Sequence, residues 1–136
     1  MTDRELLNRA KDAAARSYSP YSKFAVGAAL ECEDGTVFTG CNVENVSFGL
    51  TICAERTALV KAISEGYTGG FRRIAISAES ADYCLPCGAC RQVIAEFCGE
   101  NMEVLCSKSG GRYVSYRMSQ LLPKAFTNFA PADEDE

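Results

Sequence analysis

Three cysteines and one glutamate have the residue types and the spacing of a metal site that could activate water. Glu55 follows Cys53 by two positions, and Cys87 and Cys90 form a Cys-x-x-Cys pair later in the chain. Zinc sites with three protein ligands and an open fourth position are typical of catalysis, whereas four protein ligands are typical of structural sites. Because a bound zinc ion lowers the pKa of its water to about 7, these residues indicate hydrolytic chemistry, with Glu55 as the proton shuttle.

The two cysteine motifs lie at the starts of predicted helices. The sequence predicts one helix over about residues 53–64, which ends before Gly66, and another over about 87–97, which ends at Gly99. The partial positive charge at a helix N-terminus stabilises a thiolate and lowers its pKa. Two such helix starts lying side by side would therefore bring three thiolates to one point.

The absence of histidine limits the side chains that could bind a metal ion. The chain has 136 residues with eight cysteines and no histidine, so any metal site must use thiolates and carboxylates. Three thiolates around Zn²⁺ leave a net negative charge, which weakens the metal as a Lewis acid. We expect the guanidinium of Arg56 to donate to the ligand sulfurs and to offset this charge.

Other interpretations of these residues remain open at this point. A Cys-x-x-Cys pair also occurs in redox sites and in structural zinc sites, and a structural site here would need Cys84 as its fourth ligand. Glu55 could be an exposed carboxylate at a helix start, and Arg56 a solvated helix residue. Cysteines without ligand spacing are usually small buried residues, which we expect for the other five: Cys32, Cys41, Cys84, Cys98 and Cys106.

The remaining elements predict the scaffold that holds these residues. An amphipathic pattern predicts a first helix over about residues 3–16, and a hairpin follows at about 24–30 and 36–41. Further strands are predicted over about 73–78, 102–106 and 112–116, and a short helix over about 119–122. The last two strands should be antiparallel, because their connector is too short for a crossover. This order favours an α/β fold, a three-layer α/β/α sandwich around a mixed five-stranded sheet.

Length and charge set the domain organisation and the class of partner. We expect a single domain over residues 1–129 and a disordered acidic tail over 130–136. The chain has 14 basic and 18 acidic residues, and four of the acids lie in this tail, so the remainder is neutral. This balance argues against a nucleic-acid partner. The charged N-terminal segment and the lack of a long apolar run indicate a cytoplasmic protein with no membrane partner. Eight cysteines would suggest disulfides in a small secreted protein, but in a reducing compartment they indicate metal ligands and small core residues.

Several motifs together resemble the zinc-dependent cytidine and deoxycytidylate deaminase family, in its short, homotetrameric class. The likeness extends from residue 18 to about residue 126 and is centred on CAER at 53–56 and PCGACRQ at 86–92. It also includes PYSKF at 20–24, VGAA at 26–29, GCNVEN at 40–45 and LLP at 121–123. Zinc deaminases combine a cysteine-containing ligand set with a glutamate that is not a ligand.

The resemblance implies a fold, a reaction and a cofactor. The fold would be the cytidine deaminase-like sandwich, and the reaction the hydrolytic deamination of free cytidine and deoxycytidine to uridine and deoxyuridine, plus ammonia, in pyrimidine salvage. One Zn²⁺ per chain would be bound by Cys53, Cys87 and Cys90, with Glu55 as the proton shuttle and Arg56 tempering the thiolate charge. The partner would be a small pyrimidine nucleoside, and the protein a homo-oligomer, specifically a tetramer.

The resemblance also assigns the residues that would bind the substrate. Phe24 would contact the pyrimidine ring, and the backbone N–H of Ala54 would help to hold the base. Asn42 and Glu44 would hydrogen-bond the ribose hydroxyls. Phe126 would reach into the active site of a neighbouring subunit and pack against the base. By composition alone, the favoured interpretation of Asn42 and Glu44 is that they are turn and surface residues after a strand. The alternative for Phe126 is a hydrophobic anchor within its own domain.

This chain departs from the family at one position, and three other functions compete with the one that the resemblance implies. Phe48 stands where the family often has tyrosine, so the hydrogen bonds of a hydroxyl are lost there. The rivals are a structural zinc module, a deaminase for a cytosine-bearing nucleoside antibiotic, and a polynucleotide-editing enzyme. The pair Asn42 and Glu44, together with Phe24, favours cytidine and deoxycytidine, and the neutral charge disfavours a polynucleotide.

Overall fold

A five-stranded sheet forms the centre of the computed structural model, which describes residues 1–130 and 132. Its strands are β1 (Val26–Cys32), β2 (Val37–Cys41), β3 (Phe71–Ala78), β4 (Glu103–Ser107) and β5 (Tyr113–Arg117). The helices are α1 (Asp3–Ala14), α2 (Ala54–Ser64), α3 (Gly88–Phe97) and α4 (Met118–Leu121), and a short 3₁₀ turn lies at Phe48–Leu50. The strand order is β2-β1-β3-β4-β5, with β3 and β4 parallel and the other neighbours antiparallel, which confirms a mixed sheet.

Helices cover both faces of this sheet. Because side chains alternate between the two faces along a strand, each strand contributes to two separate cores. The core under α1 contains Leu6, Leu7, Ala10, Ala29, Ala75 and Leu105. The core under α2 and α3 includes Leu30, Leu59, Ile74, Ile76, Ile94 and Val104. The two cores on opposite faces confirm the three-layer α/β/α sandwich.

Two glycines let helices approach the sheet closely. A Cβ atom on Gly27 of β1 would lie 1.9 Å from the carbonyl oxygen of Ala10 in α1. A Cβ atom on Gly40 of β2 would lie 2.5 Å from the backbone nitrogen of Ala58 in α2. Both distances are too short for a real side chain, so these positions require glycine, and the second one sets how closely α2 approaches the sheet.

A buried ion pair connects α1 to the sheet. Arg73 on β3 lies opposite Glu31 on β1, and its Nε donates to the Glu31 carboxylate at 2.9 Å. The same guanidinium contacts the Asp3 carboxylate and donates to the backbone carbonyl of Met1. Arg73 and Glu31 are both buried. Loss of Arg73 or Glu31 would leave an uncompensated buried charge on the other. The contacts of Arg73 with Asp3 and Met1 hold the start of α1 against the sheet.

The predicted elements are present, and their ends differ by a few residues. Helix α1 ends at Ala14 rather than at residue 16, and β3 begins at Phe71 rather than at residue 73. Strand β1 begins at residue 26 rather than 24, because the backbone N–H and C=O of Phe24 hydrogen-bond the side chains of Ser22 and Asn42. The acidic residues 133–136 of the predicted tail lie outside the described residues. No described helix is long and apolar enough to cross a membrane.

Candidate active site

The three cysteines predicted as metal ligands lie together. Cys53 is the N-cap of α2, Cys87 is the N-cap of α3, and Cys90 lies in the first turn of α3. Their Sγ atoms all lie within 4.8 Å of one another, with 3.8 Å between those of Cys53 and Cys87. The backbone N–H of Cys90 donates to Sγ of Cys87 at 3.4 Å. The two helix starts therefore meet, as the sequence predicted.

The geometry of this cluster fits zinc. Two thiolates bound tetrahedrally at about 2.3 Å from one ion would lie about 3.8 Å apart, which matches the separation of Cys53 and Cys87. Within the described part of the chain, no other group of three or more cysteine or acidic side chains is close enough to share an ion. Cys84 does not join the cluster, so it offers three protein sulfurs, the number typical of a catalytic zinc site.

A guanidinium lies beside the sulfurs. Hydrogen bonds from Cys90, and then from Cys87 and Arg56, lower the pKa of Cys53 to about 5, although burial opposes this shift. Burial acts to lower the pKa of Arg56, but Cys53 and Cys90 outweigh it and raise that pKa. The Nη2 of Arg56 donates to the carbonyl of Thr51 at 3.3 Å, and its buried Nε has no hydrogen-bond partner among the described residues. Arg56 is therefore a half-buried residue beside Cys53 and Cys90 rather than a fully solvated helix residue.

Glu55 is a buried carboxyl group next to the cluster. It lies in the first turn of α2, two residues after Cys53, and is only 4% exposed. Burial raises the pKa of Glu55 to about 7. A carboxyl group in this environment can accept and release a proton near neutral pH, as general acid–base catalysis requires. The alternative of an exposed carboxylate at a helix start is wrong.

One cavity of about 250 Å³ brings most of the predicted substrate residues to the cluster. From the predicted set it is lined by Phe24, Asn42, Glu44, Cys53, Ala54, Glu55 and Cys87. Five further lining residues were not predicted: Ser22, Val26, Thr51, Cys84 and Leu85. Ser22 and Val26 lie inside motifs that carried the family resemblance, which could have drawn attention to them, whereas Thr51 and Leu85 had no such signal.

Asn42 is part of a hydrogen-bond network at the start of β1. Its Oδ1 accepts from the backbone N–H of Val26 at 3.0 Å and also from the hydroxyl of Ser17. Its Nδ2 donates to the carbonyl of Phe24 at 2.8 Å. Asn42 is buried, at 8% exposure, so it is not a surface turn residue. The second N–H of the amide has no part in these bonds and can serve a ligand in the cavity.

A model of the cytidine and deoxycytidylate deaminase zinc-binding region matches residues 1–106 of this chain. The chain belongs to this deaminase family. The cytidine deaminase of Sporosarcina psychrophila is 47% identical over 123 residues, which cover 90% of each chain. That of Halalkalibacterium halodurans is 48% identical over 126 residues, covering 92% of this chain and 95% of its own. The crystal structure of cytidine deaminase from Burkholderia pseudomallei superposes with a TM-score of 0.90 at 48% identity, covering 93% of this chain and 100% of that one.

Phe126 lies apart from the cavity in this deaminase chain. Its side chain is 67% exposed and does not pack into either core. Its backbone carbonyl accepts a hydrogen bond from Nε2 of Gln92 at 2.6 Å. The alternative of a hydrophobic anchor within its own domain is therefore wrong, and Phe126 does not line the cavity of its own chain.

The five remaining cysteines of this deaminase differ in burial. Cys32 and Cys106 are buried, as expected, and Cys98 is half-buried against the core. Cys84 is also half-buried against the same core, although one side of it lines the cavity. The prediction of a buried core residue is wrong for Cys41, which ends the edge strand β2 and is only half-buried because an edge strand leaves one side of the residue uncovered.

Proposed function

We propose that this chain is a cytidine deaminase that converts free cytidine and deoxycytidine to uridine and deoxyuridine, with release of ammonia. The observation that carries the proposal is one cavity that joins cysteines at two helix starts, a buried glutamate and the polar pair Asn42 and Glu44. Each relative reported above is named as a cytidine deaminase, which supports the same substrate here. The reaction replaces the 4-amino group of the base by an oxygen atom from water.

In this proposal Cys53, Cys87 and Cys90 hold one Zn²⁺ per chain. When bound, zinc lowers the pKa of its water to about 7 and so supplies a nucleophile at neutral pH. Arg56 interacts with Cys53 and Cys90 and offsets the negative charge that three thiolates place around the ion. At the start of α3, the backbone N–H of Cys90 also donates to Sγ of Cys87.

Glu55 moves the protons of the reaction. Its carboxylate accepts a proton from the attacking water and delivers it to N3 of the pyrimidine, while the water oxygen forms a bond to C4. Glu55 then transfers the second proton from the new hydroxyl group to the departing amino group, so ammonia leaves and the C4 carbonyl forms. Proton transfer by a positioned side chain typically contributes about 10²–10⁴-fold to a rate. Its burial beside Cys53 supports this role.

The substrate occupies the cavity with its base at the cysteine cluster and its ribose at the far end. Phe24 contacts the pyrimidine ring. Ala54 is the first helical residue of α2, where backbone N–H groups have no intrahelical partner, and its N–H holds the base. Asn42 and Glu44 hydrogen-bond the ribose hydroxyls, the first through its remaining amide N–H and the second as an acceptor.

The proposed assembly is a homotetramer in which Phe126 completes the site of a neighbouring subunit. Its ring is 67% exposed, and the loop after β2 exposes Val46, Phe48 and Leu50 by 75%, 72% and 66%. Large apolar side chains exposed together are typical of interaction surfaces, and a closed symmetric assembly would cover them. Phe48 packs edge-to-face on Tyr21 at 5.9 Å between ring centroids, a contact that needs no hydroxyl.

The proposal also covers the place of this enzyme in the cell. We propose a role in pyrimidine salvage, and a cytoplasmic location, where reducing conditions would keep its eight free cysteines as thiols. A single domain over residues 1–129, followed by the acidic tail, belongs to the same proposal.

The test is a spectral assay of cytidine turnover combined with metal analysis of the same sample. The purified protein is expected to contain one zinc per chain and to convert cytidine and deoxycytidine to the uracil products. Zinc binding without any deamination would instead favour a structural zinc module. Turnover of a cytosine-bearing nucleoside antibiotic but not of cytidine would favour that rival. X-ray absorption should count three sulfurs and one light atom around the zinc, whereas four sulfurs would indicate a structural site.

A further inference from the structure

The hydroxyl of Ser22 lies between two groups of the candidate ribose site. Its Oγ donates to Oε2 of Glu44 and accepts a hydrogen bond from the backbone N–H of Phe24 at 3.0 Å. Ser22 also lines the cavity together with these two residues. Because the N–H of Phe24 occupies an acceptor position on the hydroxyl, the hydroxyl proton is directed to Glu44.

The carboxylate of Glu44 is held on both oxygens. Its Oε1 accepts the backbone N–H groups of Tyr21 and Ser22 at 3.0 and 3.1 Å, and Oε2 accepts the Ser22 hydroxyl. An ionised carboxylate offers about four acceptor positions, so about one is left for a ligand. The hydrogen bond from the Ser22 hydroxyl is the main reason that the pKa of Glu44 is lowered, which keeps it an acceptor.

The backbone between Ser22 and Phe24 adopts a strained conformation that allows the hydrogen bond between these two residues. Lys23, between Ser22 and Phe24, has a φ of +60°, in the left-handed region that L-residues rarely adopt. Its conformation lets the hydroxyl of residue 22 receive the N–H of residue 24, only two positions later. Strained residues of this kind persist where surrounding contacts hold them, and they are concentrated at functional sites.

We propose that Ser22 is a positioning residue that orients the Glu44 carboxylate toward a ribose hydroxyl of the nucleoside. It does not touch the reacting atoms; it sets which lone pair of Glu44 is free and where that lone pair points. This inference rests on the proposed function and adds to it a residue that determines recognition of the sugar.

The experiment compares Ser22→Ala, Ser22→Thr and Ser22→Val with the parent enzyme on cytidine and on 2′,3′-dideoxycytidine. Ser22→Ala and Ser22→Val are expected to raise KM for cytidine about tenfold with kcat within about twofold, as for the loss of one hydrogen bond to a charged group. Ser22→Thr, which keeps a hydroxyl on a side chain of the size of valine, should restore most of the affinity. KM for 2′,3′-dideoxycytidine, which lacks the ribose hydroxyls, should change by less than about twofold.

Two further measurements separate positioning from general destabilisation. Ser64→Ala removes a serine hydroxyl that bonds the Lys61 carbonyl at the end of α2, away from the cavity, and should leave both substrates unaffected. Ser22→Ala added to Glu44→Ala should cost little beyond Glu44→Ala alone, because the two residues act as a unit. If Ser22→Ala folds poorly, Ser22→Thr and Ser22→Val are compared with each other on the two substrates instead.

The outcomes distinguish this inference from the proposed function. An inactive parent enzyme with bound zinc overturns the proposed function itself. An active parent with Ser22→Ala and Ser22→Val unchanged on cytidine overturns only the role of Ser22. Equal losses on cytidine and 2′,3′-dideoxycytidine would also overturn it, since a merely structural role affects both substrates alike.

Discussion

Gln92 and Phe126 are joined by a hydrogen bond of 2.6 Å from the Gln92 side-chain amide to the Phe126 backbone carbonyl. Gln92 comes two residues after Cys90 on α3, and its neighbour Arg91 donates to the carbonyls of Pro86 and Leu121, both at 2.8 Å. The helix that carries two of the cluster cysteines therefore also holds the C-terminal segment. Because the bond uses the backbone of Phe126, its ring remains exposed.

Mixed oligomers test whether Phe126 acts on a neighbouring subunit. Glu55→Gln chains and Phe126→Ala chains should each be poorly active alone. Co-assembled, some sites would combine an intact Glu55 from one chain with an intact Phe126 from another, so activity should partly recover. The measurement is cytidine turnover in mixed oligomers verified by native mass spectrometry. Absence of recovery in verified mixtures would mean that Phe126 acts within its own chain.

Removal of any one cluster cysteine should remove zinc. Cys53→Ala, Cys87→Ala and Cys90→Ala are each expected to lose most bound metal and activity, because two thiolates hold the ion far less tightly than three. Metal analysis by mass spectrometry checks this result.

Two cysteines outside the cluster provide the controls. Cys32→Ala should retain zinc and activity, and Cys84→Ala, at a residue that lines the cavity without joining the cluster, should retain zinc. Full zinc content in Cys87→Ala, or loss of zinc in Cys84→Ala, would contradict the ligand assignment.

Glu55→Gln should separate metal binding from catalysis. The amide has nearly the same shape as the carboxyl group, so zinc content and the melting temperature should stay close to those of the parent. Turnover of cytidine should fall by at least about 10³-fold, because the amide cannot carry a proton between water, N3 and the leaving group. A variant within tenfold of the parent rate would rule out the proton-shuttle role.

Replacement of Arg73 should destabilise the fold without affecting the site. Arg73→Met leaves Glu31 buried with its main partner gone, which should lower the free energy of unfolding by about 3 kcal/mol. The neighbouring Arg72 has a side chain 67% exposed and a looser contact with Glu31 at 3.6 Å, so Arg72→Met should cost less than about 1 kcal/mol. Urea denaturation measures both. Equal effects of the two variants would show that burial of the Arg73–Glu31 ion pair does not contribute to the free energy of unfolding.

Much of the candidate site could be predicted from the sequence because its signals are local. Cys53 and Cys87 could be assigned to the starts of helices that end at the glycines following them, and both are N-caps. The alternation of strands with helices along the chain was enough to predict three layers, which the two separate cores confirm. The absence of histidine restricts the metal chemistry to thiolates and carboxylates whatever fold the chain adopts.

The sequence by itself determined which elements form and which residue types could bind zinc, because helix caps, periodicity and ligand chemistry depend on neighbouring residues. Only the tertiary structure decided that Cys84 stays outside the cluster, that Ser22 holds a carboxylate 22 positions away, and that Gln92 holds the Phe126 backbone 34 positions away. These contacts depend on the path of irregular connections around the sheet. That path is set by many weak packing and hydrogen-bonding interactions acting together, which no short stretch of sequence encodes.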